Sequence, residues 1–478
     1  MISRYALVYL VAHVMPAMIG FGATIFYTHL LSPGEYGIYV IGAGIAGIVS
    51  GVFFSWIRLA VSRYQPSSPE LDLRAAAIIA YGGTTIVIAC LTPVVVFLAH
   101  PNLGFGIIAG SLLLSLSLTA FEIGQEFRRA RLNPFRFTIA GVLRSSLGLV
   151  FGYAAIKLGA GGIGLLLGIG VSFFVTNILS FQGSTARPLR LFSADYLGQF
   201  VRYGLPFSIG ALAFALHGAL DRLAVAYLLG QSGAGYYGLA ADMTRQLIWI
   251  LAGSVASVMF PMAFRSLAQT GPVATRERLK EGIELLLGLI APVAVLLAIS
   301  ANVVAGTLLG TEFQSGVATL LPVLAVARMF GAVNQYYLQI SFQLAEKPLL
   351  QVAHDSLILT LNIALLFPLT LAFGLAGTAV AILIAEAAGI LIGIGLSRRA
   401  FKLPLNGWGM VRVFAATAIM AVVSYAIKAT SGGDGLLALL SLGAGGGLAY
   451  AGAAILFDVA GVRTGLSSLW RPGYVAAK

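Results

Sequence analysis

Fourteen apolar stretches of about twenty residues or more, each closed off by a short polar segment, leave this chain few ways to fold. They lie near 5–30, 36–60, 75–99, 105–127, 135–157, 162–182, 200–229, 236–263, 281–301, 316–342, 349–372, 375–396, 409–428 and 435–457. A helix of about twenty residues crosses a ~30 Å hydrocarbon core. Within lipid every backbone N–H and C=O must find its partner inside the chain, which a helix achieves alone. The reading is an all-α polytopic membrane protein with about 14 transmembrane helices. Composition excludes the soluble alternative. Only 10% of the 478 residues are charged and 59% are hydrophobic, against about 25% charged in an ordinary globular protein. The opening "MISRYALVYLVAHVMPAMIGFGATIFYTHLL" is too long for the apolar core of a signal peptide and reads as the first span. No polar segment is long enough for a soluble domain, so function must reside among the helices. Cys90 is the sole cysteine, which leaves no disulfide and no cysteine metal cluster. No cofactor and no metal are expected.

The basic residues test the helix count. Of the 29 Lys and Arg, 23 fall in alternate polar segments beginning with the N-terminus or within a few residues of them, and two, Lys157 and Lys428, belong to the opposite set. One missed helix would scramble that alternation. The positive-inside rule therefore places both termini in the cytoplasm. The remaining four, Arg144, Arg222, Arg245 and Arg328, lie within the proposed spans. Intramembrane arginines are costly and face protein or a water-filled cavity.

A short repeat links two turns. "LLSPGEYGIY" (30–39) and "LLGQSGAGYY" (228–237) each run Leu-Leu, turn, Gly-x-Tyr, 198 residues and six helices apart. An even number of helices per unit predicts two parallel repeats. The expected organisation is residues 1–186 and 187–400 as six-helix bundles, with 401–478 adding helices 13 and 14 and a cytoplasmic tail.

Polar residues inside the spans are the candidate site. Asp221 and Arg222 in helix 7, and Asp242 and Arg245 in helix 8, lie at similar depth, about 9–14 Å from the turn that joins them. They are expected to cluster. Two readings stand for the aspartates: a structural ion pair that holds register, or part of a polar cavity. In helix 10, Arg328, Gln335, Gln339 and Gln343 form one helical stripe. The stripe either lines an aqueous cavity or bonds helix to helix. Arg144 near the middle of helix 5 joins Arg222, Arg245 and Arg328 as groups suited to an anionic substrate, since guanidinium grips phosphate in a bidentate way. Glu122, Asp355 and Glu386 are candidate sites for a coupling proton or cation, Glu386 being the most isolated; each also reads as a hydrogen-bonded structural acid. His13 and His217 read first as packed polar residues. "GAGGIG" (159–164) matches a phosphate-loop pattern, but no strand precedes it and it falls in a turn between spans.

The turn "LSPGEYGIY", the "LDRLAVAYLLG" end of helix 7, "GYYGLAADM" opening helix 8 and the fourteen-helix plan resemble the polysaccharide-transport branch of the multidrug/oligosaccharidyl-lipid/polysaccharide (MOP) flippase superfamily. That resemblance implies two six-helix bundles around a central cavity, working by alternating access. It implies an undecaprenyl-diphosphate-linked oligosaccharide as substrate, flipped across the bacterial inner membrane for O-antigen or exopolysaccharide synthesis. Implied partners are membrane lipid and the polysaccharide polymerase and chain-length machinery, with no nucleic acid. The family's acid–base pair at the end of helix 7 maps to Asp221 and Arg222. A lipid II flippase and a multidrug exporter of the same superfamily are the alternatives; the exporter should favour acids over arginines. A membrane polymerase or ligase, a different class, would need a large outer catalytic loop that the chain lacks.

Overall fold

A computed structural model describes residues 2–65, 73–98, 104–131, 133–180, 194–430 and 435–463. Among these residues every regular element is helical. Ten helical stretches are long and apolar enough to cross a membrane. Two of them far exceed a bilayer: Gly218–Ile299 and Pro348–Ser397 hold 82 and 50 residues, where about 20 suffice. Glycines in the left-handed region divide them. Gly374 (φ 60°, ψ −139°) breaks the second, and Gly230 (φ 76°) and Gly271 (φ 82°) break the helical run Ala194–Ile299. A residue with a β-carbon would be strained at such a corner.

Divided there, the described residues hold fourteen long helices. They are α1 (Ile2–Thr28), α2 (Pro33–Tyr64), α3 (Arg74–Leu98), α4 (Phe105–Ala130), α5 (Pro134–Lys157), α6 (Gly161–Ser180) and α7 (194–229). Then come α8 (231–270), α9 (272–299), α10 (Thr311–Leu344), α11 (348–373), α12 (375–397), α13 (Gly407–Thr430) and α14 (Leu436–Leu456). A short helix, Ala301–Leu308, joins α9 to α10. The sequence sets several starts. Ser32 and Glu35 form a capping box with Pro33 in the first turn of α2, and Asn133 caps α5 ahead of Pro134. Two helices carry a π turn, Ser50–Phe54 in α2 and Asn334–Leu338 in α10. Such turns free backbone groups and mark functional sites.

The chain forms two compact units, Met1–Gly238 and Leu239–Lys478. In the first, α5 packs on α6 and α1, and α4 packs on α6 and α2. Phe54, Ile57, Val61, Phe127 and Phe200 form one core; Leu114, Phe121, Leu166 and Phe173 form another. Tyr27 ties α1 to α5 by donating to the Gly148 carbonyl at 2.9 Å. In lipid such packing and interhelical hydrogen bonds replace the hydrophobic drive.

The repeated turns meet within this first unit. A β-carbon at Gly37 would run into the Gln231 carbonyl, and one at Gly235 into the Pro33 carbonyl. The offset of 198 residues carries Pro33 to Gln231 and Gly37 to Gly235. Gly34 faces Ser232, and Val40 faces Gly238, again at that offset. The contact is thus reciprocal, as across a two-fold axis. The glycines of "GAGGIG" have a packing use: β-carbons at Gly161 and Gly162 would meet the side chain and carbonyl of Glu35.

In the second unit, α10 is well enclosed, with Phe313, Val317, Leu320 and Leu324 fully buried. It packs on the α11–α12 segment, and α13 packs on α14. Lys428 of α13 donates to the Ile299 carbonyl at 2.7 Å. Buried Glu284 accepts from Asn406 Nδ2 at 2.9 Å and from the Ala460 amide at 2.9 Å. Outward-facing Leu371, Leu391, Val422 and Leu448 are each at least 70% exposed. Apolar surface on that scale needs a non-aqueous surround.

Candidate functional site

In the first unit the polar residues gather at the π turn of α2. Arg58 Nη1 lies 2.7 Å from Glu122 Oε2 of α4. Ser50, the first residue of the π turn, lies 2.9 Å from Thr119 Oγ1. Glu122 is therefore no isolated acid, and the sequence reading missed its partner because Arg58 was counted with the cytoplasmic charges. Arg144 of α5 stacks over the Phe173 ring of α6 at 4.8 Å and is within electrostatic reach of Glu122 and Tyr39. Its Nε is buried without a hydrogen-bond partner among the described residues. Asp221 is 4% exposed and accepts from the Tyr237 hydroxyl at 3.1 Å. Arg222 beside it is half-buried.

In the second unit, Asp242 and Arg245 pair along α8 at 3.3 Å, both partly exposed. Arg328, near the middle of α10, makes no ion pair with any described residue, and its Nε is buried without a partner. At the π turn of α10 and directly after it, the polar stripe is bonded into α11. Gln339, 3% exposed, donates to Gln335 Oε1 at 3.1 Å and to Asp355 Oδ1 at 2.9 Å. It accepts from Gln351 Nε2 at 3.1 Å. Gln343 stays half-buried outside this network.

Glu386 of α12 is 4% exposed and is not isolated. Asn334, which opens the π turn, donates through Nδ2 to the Glu386 carboxylate at 2.7 Å and to its backbone carbonyl at 2.9 Å. Asn334 Oδ1 is buried with no hydrogen-bond partner among the described residues. Gly331, one turn earlier, leaves room for the carboxylate. One turn along α12, the Gly389 carbonyl meets His354 Nε2 at 2.9 Å. His354 is fully buried, and its Nδ1 lies 3.5 Å from Asp355 Oδ1. Asp355, His354, Asn334 and Glu386 thus line one wall of α10, α11 and α12. The sequence reading named Asp355 and Glu386 but neither Asn334 nor His354. The signal for His354 was its place next to Asp355 in "AHD" (353–355). The side chains of His13 and His217 lie outside the described residues.

A family model described as "Polysaccharide biosynthesis protein" matches residues 27–318. The chain belongs to the polysaccharide biosynthesis protein family. Several solved structures share the fold. A structure of the lipid II flippase MurJ in an inward closed conformation is similar over 97% of this chain and 100% of its own, with a TM-score of 0.73 at 14% identity. An inward-facing multidrug resistance MATE transporter of the MOP superfamily matches over 82% and 97%, with a TM-score of 0.66 at 16% identity. A MOP superfamily transporter from Pyrococcus furiosus, reported with a binding pocket of reverse polarity, matches over 83% and 94%, with a TM-score of 0.53 at 15% identity. At these identities the likeness is one of fold: this polysaccharide biosynthesis protein is a multi-pass membrane protein with the helical fold of those structures. No match was found among curated proteins.

Proposed function

We propose that this polysaccharide biosynthesis protein is a flippase. It moves undecaprenyl-diphosphate-linked oligosaccharide repeat units from the cytoplasmic to the outer leaflet of a bacterial inner membrane, by alternating access, for O-antigen or exopolysaccharide synthesis. Both termini are cytoplasmic by the charge rule. The polymerase and chain-length machinery would take the product. Family membership supports the polysaccharide side of this reading. One observation carries the anionic side: Arg144 and Arg328, deep in α5 and α10, each keep a buried Nε with no hydrogen-bond partner among the described residues. A guanidinium is tolerated at that depth only where it meets protein, water or an anion, and a diphosphate supplies the oxygens it lacks. Arg222 and Arg245 are the secondary substrate contacts. Organic cations, the cargo of an exporter, gain nothing from these groups.

The coupling proton is assigned to Glu386. Asn334 Nδ2 holds the deprotonated carboxylate, and a half-turn of the amide would present Oδ1 as an acceptor to the protonated form. An amide N–H directed at the carboxylate is a poor neighbour for a metal cation, which seeks oxygens. The other charged or titratable groups on the helices packed there are Glu312, in the first turn of α10, Arg328 of α10, and His354 and Asp355 of α11. Protein in liposomes, loaded with fluorescent undecaprenyl-diphosphate trisaccharide, should expose the label to an outside quencher faster than empty liposomes do. Movement of lipid II with none of the trisaccharide would overturn the substrate assignment; movement of an organic cation alone would overturn the flippase.

A further inference from the structure

Four arginines that the sequence reading assigned to topology converge on one cavity. It has a volume of about 270 Å³ and lies among α3, α4, α5 and α6 of the first unit. Its rim carries Arg74 at the start of α3, Arg128 and Arg131 at the end of α4, and Arg136 in the first turn of α5. No acid is among the lining residues. Arg128 is fixed across the mouth, donating to Gln125 Oε1 at 2.9 Å and to the Ser180 carbonyl at 3.1 Å. Gly124, one turn back, gives its guanidinium room to lie flat. The side chain of Arg136 is exposed and makes no ion pair with any described residue. The N-terminus of α5, capped by Asn133 at 3.3 Å from the Arg136 amide, adds its positive helix end to the rim.

Behind the rim the wall is apolar, formed by Ala77, Ile78, Tyr81, Ile123 and Phe127. Ile78 is 41% exposed, so this wall continues onto the outer surface. A cationic mouth over an apolar wall is complementary to a molecule with an anionic head and a hydrocarbon tail. The basic rim belongs to the side that the charge rule gives to the cytoplasm, where the leaflet is rich in anionic lipid. The cavity falls below the ~300–1,000 Å³ of ordinary small-molecule sites. That is room for a phosphate head and a few methylenes and not for an oligosaccharide as well.

We propose that this cavity binds an anionic phospholipid of the cytoplasmic leaflet, its phosphate held by Arg128, Arg131 and Arg136 and its first acyl methylenes lying along Ile78 and Phe127. The site is separate from substrate transport and does not depend on which lipid-linked saccharide is carried. Arg131 and Arg136 are exposed, so their loss leaves the core intact.

The test is native mass spectrometry of the full chain released from neutral detergent, titrated with phosphatidylglycerol, phosphatidylcholine or undecaprenyl phosphate. Wild type should bind phosphatidylglycerol at least tenfold more tightly than phosphatidylcholine. Arg131→Ser with Arg136→Ser should bring the two within twofold. Arg63→Ser with Arg265→Ser, exposed basic residues that do not line the cavity, should leave the preference unchanged. Ile78→Trp, filling the mouth, should also remove it, with an unchanged melting temperature showing that the fold persists. Equal binding of both phospholipids by wild type would overturn the proposal. So would an equal loss in the Arg63/Arg265 control, which would reduce the effect to surface charge. A tenfold preference for undecaprenyl phosphate lost with Arg131 and Arg136 would overturn it too, by giving the cavity to the substrate carrier.

Discussion

Gly37 and Gly235 lie against each other in the first unit, a β-carbon on either one falling 3.1 Å from the other's amide nitrogen. Each glycine also sits over the carbonyl of the residue four before its counterpart, Gln231 or Pro33. Two helix openings cross there at backbone contact, which only glycine allows. Gly235→Val should lower the melting temperature in detergent, at a cost of about 1–3 kcal/mol as for an overpacked core. Gly37→Val should do the same, and the double variant should cost less than the two single costs added, because the first substitution already separates the helices. Strict additivity would show that the two positions do not share one contact.

Arg144→Ala and Arg328→Ala should each slow flipping of the lipid-linked trisaccharide by roughly 10–100-fold, the weight of one or two charge-assisted hydrogen bonds to phosphate. Both variants should still fold into the membrane; Arg328→Ala should keep its melting temperature, while Arg144→Ala also loses the stacking on Phe173. Normal flipping in both variants would remove the arginines from the substrate path.

Glu386→Gln should leave the protein folded, because an amide still accepts from Asn334 Nδ2. Its flipping rate should no longer respond to an imposed pH gradient. Asn334→Ala should instead destabilise the fold by about 1–3 kcal/mol, by stripping a buried carboxylate of its donor. An undiminished pH-gradient response in Glu386→Gln would move the coupling site elsewhere, with His354 and Asp355 next in line.

Single cysteines in a Cys90→Ala background separate the two readings of the α10 stripe. A cysteine at 343 should react with a water-soluble thiol reagent. One at 339 should stay protected, since Gln339 is 3% exposed and bonded to Gln335, Gln351 and Asp355. Fast labelling at both would restore the stripe as a continuous cavity lining.

Tyr237→Phe removes the hydroxyl that donates to buried Asp221. The expected loss is about 1–3 kcal/mol, read as a lower melting temperature. A neutral result would mean that Asp221 is satisfied by its other neighbours.

The helices were legible because their signal is local. The run 375–396 expected for helix 12 became 375–397, and 349–372 became 348–373, with Gly374 at the corner between them. Transfer of apolar side chains into lipid depends on composition over some twenty residues and on little else. The π turns were not legible. The spacing of Arg328, Gln335, Gln339 and Gln343 fits a regular helix, and only the structure shows that Asn334–Leu338 winds differently.

Span count, the charged end of each helix and the repeated turn were thus determined by the sequence itself, since hydropathy, charge and glycine placement act along the chain. The tertiary structure decided which polar groups keep partners. It paired Glu122 with Arg58, placed Asn334 on Glu386 across 52 residues, and left Arg144 Nε and Arg328 Nε without a hydrogen bond among the described residues. A buried polar group is stabilised by whatever donor or acceptor lies within about 3 Å, and proximity between distant helices is set by packing in three dimensions.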